Sequence, residues 1–271
     1  MNRLGIEFIT ALGQDPVAFV HLAADLGVPR IGLALAPIVL VPEDAPRWSL
    51  REDAGLRGAV ETALAEREVE IMLGEGFLLH PQMDVANACG DMDLLAELGA
   101  LRVNVVSLET DAARGVDQFA QFASMAAARG MRPTLEFMPG SGAPDLGSAL
   151  AIVEASHCPT AGVLIDAMHH FRSGCTVAQL AALDPARIGH IQLCDVPLVS
   201  VAPSYMDEAK FERGAPGEGE LPLAAMVAAL PADLPLGLEC PQRSRALAGM
   251  DHHDRIAAIV EWARSFSTVL L

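Results

Sequence analysis

The feature that most constrains this chain is a rhythm. Strand-like apolar runs begin near residues 3, 30, 69, 102, 132, 162, 188 and 236, and Ala-rich helical stretches fill the gaps. Most intervals are close to the roughly 30 residues that one strand-plus-helix unit takes. Eight such units in 271 residues imply an α/β fold, a closed (β/α)8 barrel forming a single domain over 1–271. A doubly wound sheet is the competing arrangement, but it usually has fewer strands and a Gly-rich first turn. The first turn here, "TALGQDP", has no GxGxxG. The predicted strands include "RLGIEFIT", "VEIMLGEG", "RPTLEFMP" and "LGLECP". Helices such as "DPVAFVHLAADLG" and "VDQFAQFASMAAARG" are predicted to stop at Gly27, Gly99 and Gly130, because glycine adopts the left-handed conformation that closes a helix.

Composition narrows the setting. Apolar residues make up 52% of the chain and aromatics only 4%, which suits helices packed on a sheet. No stretch reaches the ~18 apolar residues of a membrane span. The longest candidate, "IGLALAPIVLV", is broken by Pro37, and "MNRLGIEFIT" reads as a strand rather than a signal peptide. Five cysteines without a CxxC pair point to reduced thiols and a cytoplasmic protein, with homo-oligomerisation left open. A net charge of −17 argues against nucleic acid or an anionic membrane as partner.

Two connections are long: "APIVLVPEDAPRWSLRED" after strand 2 and "VPLVSVAPSYMDEAKFERGAPGEGELPL" after strand 7. Both leave the C-terminal end of a strand, the face where barrel enzymes hold their sites, so both are expected to cover a substrate. Strands 5 to 8 each place one polar residue between an apolar run and turn residues: Glu136, Asp166, Gln192 and Glu239. Barrel geometry would project all four into one mouth. Three carboxylates so close raise each other's pKa unless something positive sits among them. No strand carries a Lys or Arg placed to do so, which makes a divalent cation the simplest counter-charge. An all-oxygen donor set suits Mg²⁺ or Mn²⁺. Gln192 lies on the same strand face as His190 and Cys194. Its carbonyl would be the fourth ligand; otherwise it is a core amide bonded to Ser, Thr or backbone.

The motifs "LEFMPG", "GVLIDAMHH", "IGHIQLCDVP", "RGAPGEGELPL" and "GLECP" resemble the sugar phosphate isomerase/epimerase superfamily of xylose-isomerase-like barrels. The resemblance covers essentially the whole chain and is most specific over 132–240. It implies one divalent metal, Mn²⁺ or Mg²⁺ with Co²⁺ or Zn²⁺ as other choices, held by Glu136, Asp166, Gln192 and Glu239. Many members have His where this chain has Gln192; a Gln resembles the branch of bacterial 3-dehydroshikimate dehydratases. It further implies that His169 and Arg213 contact substrate oxygens. Read from the residues alone, His169 is equally a solvated loop residue, and Arg213 a surface cation pairing with Glu212 or Glu218.

The expected chemistry is proton abstraction next to the carbonyl of a sugar-like polyol ketone or aldehyde, with Glu136 and Glu239 as acid and base and the metal stabilising an enediolate. Isomerisation, epimerisation and loss of a β-hydroxyl as in a dehydratase all fit that site. A DNA-repair endonuclease and a non-catalytic binding barrel are the rival classes. Among other residues, His190 reads as a hydrogen-bonded core histidine, Cys194 and Cys240 as inert, and His252 and His253 as an exposed helix start. Glu75 is a further candidate substrate contact. Glu218 and Glu220 make the strand-7 loop an acidic, mobile cover that would repel phosphate.

Overall fold

Apolar strands buried on both faces pair in parallel when helices cover their outer side. In the computed structural model, which describes residues 3–267, eight such strands close on themselves. They are β1 (Leu4–Ile6), β2 (Arg30–Ala34), β3 (Glu70–Leu79), β4 (Arg102–Ser107), β5 (Arg132–Glu136), β6 (Gly162–Asp166), β7 (Ile188–Leu193) and β8 (Leu236–Leu238). Each pairs with the next, and β1 closes the ring on β8 through Leu4↔Leu236, Gly5↔Gly237 and Ile6↔Leu238. The architecture is therefore the (β/α)8 barrel that the spacing predicts. The expected domain limits, 1 and 271, lie outside the described residues.

Strand starts follow the sequence pattern closely, whereas several strands end early. The run predicted over 3–10 leaves the sheet after Ile6 and continues as a 3-10 turn, Phe8–Ala11. The cause is local: the Phe8 N–H donates to the Glu75 carboxylate (2.8 Å) instead of extending a ladder, and the Thr10 N–H turns back to Glu7 O. The Phe8 ring then packs edge-on against Phe19 and Trp48. Burying a ring of that size stabilises by about 1.5–3 kcal/mol, enough to fix where the chain turns.

Helices on the mouth side start under aspartates. Asp15, Asp53, Asp111, Asp145 and Asp166 each accept a backbone N–H of the first helical turn. A carboxylate there satisfies an orphan donor and complements the helix dipole. At the other end, Gly27, Gly99 and Gly130 all have positive φ, as the sequence predicts for helix closure.

The connection after β7 differs from the mobile loop that its glycines suggest. It contains two helices, Tyr205–Phe211 and Leu223–Ala228. Ser204 caps the first, and its buried Glu208 pairs with Arg172 at 2.9 Å. Asp195 then pins the glycine-rich stretch by accepting from the N–H groups of Val196, Gly217 and Leu221. This wall of the mouth is braced on several sides. No helix among the described residues is long and apolar enough to cross a membrane.

Candidate active site

Glu136 and Asp166 are the last residues of β5 and β6, Gln192 is one short of the end of β7, and Glu239 directly follows β8. Asp166 registers with Gln192, and Gln192 with Gly237. Parallel pairing therefore delivers all four to the same end of the barrel. A pocket of about 430 Å³ opens there, with Glu136, Gln192, Glu239, His169 and Arg213 among its walls, and Glu75 and Asn104 beside them. Asp166 is 1% exposed and lies behind that lining.

The counter-charge absent from the strands comes from the β7–β8 connection. Arg213 is buried, and its Nη1 donates to Asp166 Oδ2 (2.9 Å) and Glu239 Oε2 (2.5 Å) while Nε donates to Ala209 O (2.7 Å). The surface pairings open to it from sequence are taken by others: Glu212 meets Arg243 and Glu218 meets Arg245. Burial opposes the Arg213 charge, but Glu239 and Asp166 outweigh it and hold the guanidinium firmly protonated. Burial lifts the Glu239 carboxyl well above its usual range, with Arg213 pulling back. The other Asp166 oxygen accepts the His169 N–H at 2.7 Å, capping the helix Ala167–Arg172. One carboxylate thus starts a helix and holds the site's arginine.

His169 is buried at the mouth. Its Nε2 lies 3.2 Å from Glu136 Oε1, and its Nδ1 meets the hydroxyl of Tyr205. Burial raises the Tyr205 pKa, so the phenol keeps its proton beside the imidazole. Asn104 Nδ2 donates to the other Glu136 oxygen at 2.6 Å. Tyr205 and Asn104 escape a reading of strand ends. Tyr205 is the chain's single tyrosine, the one cue the sequence offers for it.

Below this layer sits a second acidic group. Glu7 Oε1 is 2.6 Å from His190 Nε2, both fully buried. His190 is thus the hydrogen-bonded core histidine expected. Two glycines make the room: a Cβ at Gly237 would fall 1.7 Å from Glu7 Oε1, and one at Gly32 2.0 Å from Glu75 Oε1. Burial pushes the Glu7 carboxyl up to about 8, raises Glu75 well above the usual range, and drives the His190 imidazole down to about 3. The thiols of Cys194 and Cys240 are likewise buried and raised, which leaves them protonated and unreactive. Glu218 and Glu220 do not line the pocket: Glu218 holds Arg245, and Glu220 accepts the Leu198 N–H.

The donors present suit a hard cation. Gln192 Oε1 is buried without a hydrogen-bond partner, an orphan that a metal would satisfy. Glu136, Asp166 and Glu239 bring three carboxyl groups to the mouth, and Arg213 pairs with two of them. The carboxylates are gathered around Arg213 rather than drawn to one point. Among the described residues, three acidic or histidine ligand atoms approach within 4.8 Å of one another only at exposed Asp251, His253 and Asp254.

No curated protein matches the chain in sequence. Solved structures match it in fold over nearly its full length. The IolI protein with a bound zinc atom superposes with a TM-score of 0.79 at 16% identity, covering 99% of this chain and 98% of that one. D-psicose 3-epimerase with D-tagatose from Clostridium cellulolyticum H10 gives 0.72 at 13%, covering 97% and 98%. The probable 3-DHS dehydratase AsbF from Bacillus anthracis, involved in petrobactin synthesis, gives 0.71 at 17%, covering 96% and 98%. The family model for xylose isomerase-like TIM barrels matches residues 78–266, more than half of the sequence, and the chain belongs to that family.

Proposed function

We propose that the protein is a divalent-metal-dependent isomerase or epimerase that moves a proton at the carbon next to a carbonyl of a small polyhydroxylated substrate. The observation that carries this is the Glu136 carboxylate at the pocket, held by Asn104 on one oxygen and with His169 Nε2 3.2 Å from the other. That arrangement leaves Glu136 oriented as a base, with an imidazole beside it that can give or take a proton. Arg213 holds Glu239 on the opposite side, where it can return or accept a proton. The metal would be held by Glu136, Gln192 and Glu239, which face the pocket, with Asp166 behind them. Bound there, a divalent cation would polarise the carbonyl and favour the ionised form of Glu239.

Incubating the protein with Mn²⁺ and a panel of keto-sugars and cyclic polyol ketones in D₂O tests this. The expected result is deuterium at the carbon next to the carbonyl, seen by proton NMR and lost after chelation. Elemental analysis without a metal, together with turnover unchanged by EDTA, would overturn the metal assignment. No exchange with any member of the panel would overturn the chemistry.

A second reading, dehydration, is favoured by the asymmetry of the two acids. Glu239 is clamped by Arg213, whereas Glu136 has the Tyr205–His169 pair at its side. A base next to a proton donor suits loss of a β-hydroxyl better than exchange between two faces. Growth of enone absorbance in the same incubations distinguishes the two.

A further inference from the structure

Buried walls around a site say little about its ligand, because apolar residues belong there; exposed ones say more. Eleven large hydrophobic side chains are exposed among the described residues, and four of them, Ile38 (43%), Leu78 (48%), Leu108 (40%) and Met206 (38%), line the mouth of this pocket. They come from four separate places: the connections after β2 and β4, the end of β3, and the helix Tyr205–Phe211. Buried Leu35 and half-buried Met138 continue the same surface inward toward the carboxylates. A polyol has no use for such a rim, since its hydroxyls would lose water against it without gaining partners. At about 430 Å³ the pocket lies within the range that holds whole drug-sized ligands, more room than a six-carbon polyol fills.

The same rim carries one free cation. Lys210 is the only lysine in the chain, the other seventeen cationic side chains all being arginine. It lines the pocket one helical turn from Met206, is exposed, and its ammonium has no hydrogen bond or ion pair among the described residues. Arg51, the other cation on the rim, is already held by both oxygens of Asp91. In a protein of net charge −17, an ammonium without an acidic partner beside an apolar wall is a place for an anionic group of a ligand.

We propose that the substrate is amphipathic: a hydroxy-carbonyl head at the carboxylate floor, an apolar ring or chain against Ile38, Leu78, Leu108 and Met206, and an acidic group paired with Lys210. The inference rests on the reading of this pocket as the active site and adds the class of molecule it accepts. A free neutral sugar fills the floor and leaves the rim wet.

Two fluorescent probes that share a skeleton test the rim without turnover: neutral N-phenyl-1-naphthylamine and its 8-sulfonate. Both are expected to bind once per chain with enhanced emission, the sulfonate tighter by about tenfold at low salt. The Leu78→Ser, Met206→Ser double variant should weaken both probes by about tenfold or more, as lost apolar contact requires. Lys210→Gln should remove the preference for the sulfonate and leave the neutral probe unchanged. All three positions are exposed, so circular dichroism should match the wild type. Failure of both probes to bind, rim variants that bind like wild type, or a sulfonate preference that survives Lys210→Gln would each overturn the proposal. Because the readout is binding, these outcomes are independent of whether proton transfer is detected.

Discussion

Two groups of acids share the interior of this barrel, one layer apart, and they differ in whether a cation stands among them. At the mouth, Glu136, Asp166 and Glu239 surround a buried guanidinium and a histidine, with direct ion pairs to Asp166 and Glu239. In the layer below, Glu7 and Glu75 have no Lys or Arg against them, and burial shifts both carboxyls toward the protonated form. His190, beside Glu7, is held neutral by the same burial. A buried acid must find a cation or keep its proton, and the difference shows which choice each layer makes. The mouth keeps a charged arginine among its acids, although burial lifts Glu239 there too. The layer beneath gives up its charge and serves as a neutral, hydrogen-bonded floor.

That contrast can be broken experimentally, and the largest effect is expected at Glu136. Glu136→Gln keeps the shape and the Asn104 contact but removes the base; turnover should fall by about a hundredfold or more with the melting temperature nearly unchanged. Wild-type rates would move the base elsewhere. Next is Arg213→Met, which turns the mouth into a group without its cation. Leaving Asp166 and Glu239 buried and unpaired should cost about 3–5 kcal/mol in urea unfolding at neutral pH. This revises the reading of Arg213 as a surface cation, since the side chain is buried. A loss below about 1 kcal/mol would mean that water enters freely and that the ion pairs are weak.

Smaller again is the effect at Gln192. Gln192→Ala should weaken Mn²⁺ binding by about tenfold or more, and Gln192→His should retain a metal while shifting preference toward zinc. Unchanged Mn²⁺ affinity in the alanine variant would return Gln192 to the role of a core amide. The subtlest test concerns the lower layer. Glu7 titrates near its ordinary value of 4.5 when unfolded and at about 8 when folded. Between those values the native chain holds a proton that the unfolded chain releases, so stability falls as pH rises. The contribution is fully present below pH 4.5 and lost as pH passes 8. Glu7→Gln should flatten that fall while changing stability at low pH by less than about 1.5 kcal/mol. An unaltered pH slope would show that Glu7 is ionised in the folded protein.

What could be read from the sequence follows the reach of local pattern. An apolar run ending in one polar residue and a turn reports the end of a barrel strand, and so Glu136, Asp166, Gln192 and Glu239 stand where that pattern puts them. Arg213 and Tyr205 sit on a connection whose path depends on tertiary contacts such as Arg172–Glu208 and the Asp195 turn, and no period in the sequence encodes those. Glu7 was hidden for another reason: the strand predicted through it ends one residue earlier, and it is accommodated by glycines on two neighbouring strands. A glycine at an inward position of β2 and another in β8 are the trace such a buried side chain leaves. The braced helix after β7 was missed because glycine and proline near its ends outweighed the short Ser204-capped segment between them.

Tyr205 joins the β7–β8 connection to His169, whose Nε2 lies 3.2 Å from Glu136. As the only tyrosine in 271 residues, it is also a natural isotope address. Growth on 3-fluorotyrosine would place one fluorine nucleus in the whole molecule, next to the imidazole that faces the base. A single fluorine NMR line, free of assignment, would then report loading of the mouth with metal, with inhibitor and with each candidate substrate in turn.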